Sequence, residues 1–205
     1  MKRMTLSILF FFPFVLFSQT KSPTDQIQVI AGRSTHGTGD MRGIIFITEY
    51  TKYFKKHLFW TMALGGTIHD GSTPLIFDDQ YGNAIDGSIR YTTAGVQTTS
   101  HLGYNFIRTS RHELGIKLGT LLRYQSSSYY DQVSVYYPLA TRLPAPVISF
   151  ENKTPQKTYA FGGSSQILYN YTVSKAISLG MQAGFQTDTN GDTITQAAFT
   201  IGKRF

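Results

Sequence analysis

The sequence predicts an all-β protein, an eight-stranded antiparallel transmembrane β-barrel. Three observations carry this. Apolar side chains recur at every second position over most of the chain, the period of a strand with one face in apolar surroundings. The connections between these runs are mostly short polar turns at one end and long loops at the other, with both chain ends on the short-turn side. The composition fits neither a soluble enzyme nor a helical membrane protein. Of 205 residues, 41% are hydrophobic and 14% aromatic (15 Phe, 13 Tyr), while only 15% are charged, against roughly 25% in ordinary soluble domains.

The N-terminus reads as a leader. Lys2 and Arg3 precede an apolar run from Leu6 to Phe17, and Ser18, Gln19 and Thr20 follow. That is the layout of a secretory signal peptide, and the run is too short to anchor in a bilayer. Residues 1–18 are assigned to the leader and 19–205 to the barrel. Beyond the leader, no stretch approaches the roughly 20 apolar residues of a spanning helix. The chain has no cysteine, which excludes a disulfide framework, a thiolate metal site, a Cys nucleophile and a lipidated N-terminal Cys. Loss of the leader removes Lys2 and Arg3 and no acid, lowering the net charge from +7 to +5. Export makes nucleic acid an improbable partner for this basic excess and directs it to anionic lipid headgroups.

The strands follow in order. The first, 26–33, is short and carries Ile27, Val29 and Ala31; the second, 43–54, leaves open which of its faces is the apolar one. In 58–69, Leu58, Trp60, Met62, Leu64 and Ile68 alternate with Thr61, Ala63, Gly65 and Thr67. A fourth strand spans 90–106. In 112–125, Leu114, Ile116, Leu118, Leu122 and Tyr124 alternate with Glu113, Gly115, Lys117, Gly119 and Arg123. In 157–173, Tyr159, Phe161, Ile167, Tyr169, Tyr171 and Val173 oppose Gly162, Ser164, Gln166, Asn170 and Thr172. The pattern repeats over 176–187 and 193–205. Short turns join strands at 55–57, 108–111 and 174–175, while 34–42, 70–89 and 126–156 are longer loops. The last connection, 188–192, is tight and contains Asn190-Gly191, a type I′ hairpin signal. Most runs reach the roughly 9–11 residues a tilted strand needs to cross a bilayer. Eight such strands close without a free edge, and the small inward residues suit a narrow lumen.

The leader with Gln19 after it, the three tight hairpins, and the terminal run Ala197, Phe199, Ile201 to Phe205 carry a resemblance. The chain resembles the small eight-stranded outer-membrane β-barrels of Gram-negative bacteria, in particular the porin-like, outer-membrane β-barrel domain families common in Bacteroidota-type genomes. The resemblance covers essentially the whole mature chain; Lys203 stands where that pattern usually has an apolar residue. It implies an outer-membrane location, with lipid including lipopolysaccharide around the barrel. It also implies delivery to the barrel-assembly machinery through the C-terminal strand and Phe205. It does not imply one activity.

Candidate chemistry follows from the faces. With Leu114 and Ile116 toward lipid, Glu113, Lys117 and Arg123 point into the lumen, and Glu49 joins them from the second strand. Buried charges must pair, so Glu49 is expected to meet Lys117 or Arg123, as a plug that fills the barrel or as a gate. Tyr129, Tyr130, Tyr136 and Tyr137, with Pro138, Pro144 and Pro146, make the longest loop a contact candidate or an interfacial girdle. Trp60 reads as a girdle residue.

His36 and His69-Asp70 read as loop-mouth residues, and His57 and His112 as solvated residues of the turns; His101 has no assigned role. No pair of histidines has metal-ligand spacing, and Asp188 to Asp192 lacks the spacing of a calcium loop. No catalytic residue, metal or cofactor is expected. The expected role is non-enzymatic: structural and surface-interacting, or a narrow pore for small solutes. Three alternatives are a barrel-embedded enzyme acting on lipid A or phospholipid through His36 or His69, a surface adhesin or receptor acting through loop 126–156, and a soluble lipocalin-like barrel with its apolar face inward.

Overall fold

The computed structural model describes residues 25–37, 41–78, 81–143, 146–153, 155–174 and 176–205. The leader assigned to 1–18, Gln19, Pro144 and part of the 174–175 turn lie outside the described residues. The strands are β1 (Gln26–His36), β2 (Met41–Tyr53), β3 (Leu58–Thr73), β4 (Ile76–Asp78), β5 (Ala84–Asp86) and β6 (Ile89–Arg108). They continue as β7 (His112–Ser127), β8 (Gln132–Tyr136), β9 (Val147–Glu151), β10 (Lys157–Thr172), β11 (Ile177–Asp188) and β12 (Thr193–Arg204), with one helical turn, α1 (Pro138–Thr141).

Eight of the strands close a barrel in the order β1-β2-β3-β6-β7-β10-β11-β12, and β12 returns to β1. Every neighbouring pair is antiparallel. The eight predicted strands match these within a few residues; most of the observed ones run further into the loops. The exceptions to the sequence reading are β4–β5 and β8–β9, two hairpins inside the long loops. Their strands of three to five residues are too short to display a period. The side chains of Phe77 and Ile148 both lie close to Gly87, just after the first hairpin.

The barrel is inside out relative to a soluble protein. Leu64, Leu102, Phe199 and Ile201 are exposed on the outer wall, while Gln28, Glu49, Lys117, Arg123, Gln166 and Gln182 are buried within. The inverted, lipocalin-like alternation is therefore excluded. Two apolar clusters also line the interior, Ile30–Ile45–Ile47–Ala63–Ala198 and Tyr53–Phe59–Leu168. This resolves the faces of the second strand: Ile44 and Phe46 face outward, Ile45 and Ile47 inward. On the outer face of β2, Arg42 and Lys52 bracket Ile44, Phe46, Thr48 and Tyr50. Ten residues at about 3.4 Å each, tilted by about 40°, rise about 26 Å, close to the apolar band of about 25 Å that such barrels present.

The 188–192 connection differs from the predicted type I′ turn. That turn needs positive φ at both Asn190 and Gly191, and only Gly191 has it, at 80°. The Asp188 carboxylate accepts the N–H groups of Asn190 (3.0 Å) and Asp192 (3.3 Å), and Gly191 N–H donates to the Asp188 carbonyl. The carboxylate thus organises a three-residue loop closed by Gly191 in the left-handed conformation.

Candidate functional site

Strand alternation fixes which side chains enter the lumen, and barrel tilt decides which of them meet. At mid-height, Lys117 on β7 donates to both carboxylate oxygens of Glu49 on β2, at 2.7 and 2.5 Å. Gln28 adds a third donor to Glu49 at 2.7 Å. Two strands, β3 and β6, separate β2 from β7 on the wall, so this pair spans the lumen. His101 lies beside it, linked to Ser164 at 2.7 Å and Thr61 at 3.2 Å.

Nearer the short turns, Glu113 holds two guanidinium groups and a phenol. Arg108 donates to it at 2.9 Å, Arg204 at 2.6 Å and the Tyr53 hydroxyl at 3.0 Å. Arg108 also lies 3.7 Å above the Tyr53 ring and donates to the Lys56 carbonyl, tying the 54–57 turn across this end of the barrel.

At the long-loop end, Arg123 donates to Thr67 at 3.1 Å and Ser34 meets His69 at 2.8 Å. The His36 and His69 rings lie 5.3 Å apart, and His36 Nε2 is 3.5 Å from Asp192. Gln125 donates to Asp192 at 2.6 Å. Burial pushes the Asp192 carboxyl up, but His36, Gln125 and Arg123 together hold it below the usual carboxylate range.

The structure thus joins Glu49 to Lys117 but places Glu113 and Arg123 in separate clusters, rather than in one lumen network. Arg123 follows Lys117 by six residues on one strand face, about 20 Å along the strand. Arg108 and Arg204, the partners of Glu113, were not picked out from sequence because charges at strand ends resemble a solvated rim. His36 and His69 lie at the long-loop end, but their side chains are buried in the lumen. His57 is not simply solvated: its Nδ1 meets the Asn105 carbonyl at 2.7 Å and its ring stacks on Tyr104. His112 is exposed and hydrogen-bonds the Tyr169 hydroxyl.

Ser34 and His69 have the contact of a nucleophile and its base, yet both are buried and His69 Nδ1 has no hydrogen-bond partner among the described residues. Nothing there orients the imidazole as the acid of a triad does.

The four loop tyrosines divide into two pairs. Tyr129 and Tyr130 stack on each other at 5.1 Å, both meet Tyr91 edge-on, and Tyr130 contacts Phe150. They seat the loop on the barrel rim. Tyr136 and Tyr137 instead stand exposed at the tip beside α1, where Leu139 is 99% exposed. Trp60 lies on the outer wall, its indole N–H donating to Ser100 at 2.8 Å. Phe205 is exposed, and its N–H donates to the Asp25 carbonyl at 3.0 Å.

No family model matches the chain, and no curated protein matches it. Solved structures do. The attachment invasion locus protein Ail of Yersinia pestis, solved in complex with the heparin analogue sucrose octasulfate, superposes with a TM-score of 0.54 at 10% identity, covering 90% of this chain and 100% of that one. Neisserial surface protein A gives 0.54 at 10% identity, covering 88% and 97%. The N-terminal β-barrel domain of OprF from Pseudomonas aeruginosa gives 0.51 at 8% identity, covering 90% and 98%. The fold of this chain is that of the small eight-stranded outer-membrane β-barrels.

Proposed function

We propose that this protein is an integral outer-membrane barrel with a closed lumen, non-enzymatic, that acts through the structures at its long-loop end. The observation that carries this reading is the Glu49–Lys117 ion pair spanning the lumen with both side chains buried. The Glu113 cluster obstructs the short-turn end as well. The leader-like N-terminus and the apolar outer wall support the outer membrane as location, with lipopolysaccharide-bearing lipid around the barrel. The two hairpins and the exposed Tyr136–Tyr137–Leu139 tip are the surface offered outward.

One observation favours the narrow-pore reading. Both polar atoms of the Gln182 amide and the Gln166 and Gln196 carbonyl oxygens are buried without a partner among the described residues. Such groups are normally satisfied by water, which is consistent with a hydrated lumen. Single-channel recording from the refolded mature barrel separates the two readings. The expected result is a folded, inserted and electrically silent protein, with insertion shown by different migration of unboiled and boiled samples on a gel. Discrete conductance steps that change in Lys117→Ala would overturn the closed-lumen reading.

Phe205 is proposed as the assembly signal. It contributes one backbone hydrogen bond beyond β12, so its deletion is expected to leave refolding in detergent unchanged. Outer-membrane yield in cells is expected to fall severalfold. Equal losses in both assays would make the residue structural.

A further inference from the structure

The two rims of the barrel differ in charge. Among the described residues, the long-loop end carries seven carboxylates against seven Lys or Arg, Arg123 included. The short-turn end carries seven Lys or Arg against two carboxylates, Asp25 and Glu113. Arg108 and Arg204 are engaged by Glu113. Five others, Lys52, Lys55, Lys56, Arg111 and Lys203, are exposed.

Their placement is specific. Lys52 and Lys203 do not hang below the barrel; they project from the lipid-facing sides of β2 and β12. Lys52 is paired in register with Trp60, and Lys203 with Ile27 and Ile177. Phe54, Tyr104 and Phe106 are exposed on the same wall as Trp60. Lys52 therefore stands among the residues of an aromatic belt, at headgroup height.

We propose that this rim is a binding site for an anionic phospholipid of the adjoining leaflet, which in the outer membrane is the periplasmic one. The phosphodiester sits against Lys52, with Lys203 as the second bilayer-facing cation of the rim and the acyl chains along Leu58, Trp60 and Leu102. A polyanion of the periplasm, such as the cell-wall polymer, would meet the turn residues and leave Lys52 and Lys203 unused, because these face the bilayer. The proposal rests on the reading of the chain as a membrane-spanning barrel.

Trp60 is the chain's only tryptophan and stands beside Lys52, so its fluorescence reports the lipid at this rim alone. The mature barrel is reconstituted in phosphatidylcholine vesicles containing either brominated phosphatidylglycerol or brominated phosphatidylcholine, and quenching is compared. In about 0.02 M salt the relative affinity is expected to favour phosphatidylglycerol about fivefold, the worth of one cation near an anionic surface. In about 0.5 M salt it falls toward parity. Lys52→Gln removes most of the preference, and Lys52→Gln with Lys203→Gln removes it all.

Equal quenching by the two lipids at low salt overturns the proposal. So does a preference that survives both substitutions. Retention of the barrel on isolated cell-wall sacculi without any lipid preference overturns it in favour of the wall polymer. A chain that shows neither the gel shift nor lipid-accessible Trp60 in either vesicle fails the barrel reading itself, a separate outcome.

Discussion

Lys117→Met is expected to lower the stability of the refolded barrel by about 3–5 kcal/mol, measured as a fall in the urea midpoint followed by the gel-mobility assay. The side chain is fully buried, and its ammonium supplies two of the three hydrogen bonds that Glu49 receives. Methionine fills nearly the same volume, so packing loss is small. What remains is a buried carboxylate with Gln28 as its one donor among the described residues, and stranding one partner of a buried pair costs about this much. Glu49→Gln combined with Lys117→Met removes both charges and is expected to recover most of the loss, since neutral replacements of buried pairs are often tolerated. A single-mutant loss under about 1 kcal/mol would mean that water reaches the pair, and the lumen would then be open at mid-height.

The second large effect is steric. Gly119 on β7 packs so closely on β6 that an added methyl would sit 1.9 Å from the Ser100 carbonyl oxygen and 2.6 Å from the His101 α-carbon. Both are backbone atoms of a paired strand, so neither can turn aside. Gly119→Ala must push β6 and β7 apart beside the His101–Ser164 contact, and overpacking plus lost ladder bonds is expected to cost about 3 kcal/mol or more. Gly163, on the neighbouring β10, is the matched control. A methyl there meets nothing nearer than 3.7 Å, and Gly163→Ala is expected to be neutral or to stabilise by up to about 1 kcal/mol through the unfolded chain. Urea midpoints of the two variants check the contrast; equal effects would mean that the strands adjust freely.

The barrel was legible because every strand separates two unlike surroundings. Lipid on one side and a packed polar lumen on the other write a period of two directly into Leu114 to Tyr124 or Ile177 to Phe185. The period blurs where the lumen itself turns apolar, as at Ile45, Ile47 and Phe59. Strand alternation also placed Glu49, Glu113, Lys117 and Arg123 on the inner side. It did not say which partner each would find. Lys117 reaches Glu49 across the lumen, and Glu113 collects Arg204 from the far end of the chain, because tilt and stagger set their heights. Those are properties of the closed cylinder, not of any segment. The loop hairpins were invisible for the opposite reason: with strands of three to five residues, their pairing precedes any pattern.

Seven of the eight ladders join strands that follow one another around the wall in chain order; the eighth, β1 with β12, joins Gln26 to Arg204. That seam makes assembly all-or-none. While it is open, two strands present unpaired amides and carbonyls, which hydrocarbon does not tolerate. A nearly complete chain is therefore no more at home in the bilayer than a short one. The last strand of the wall must find the first before the protein can rest there.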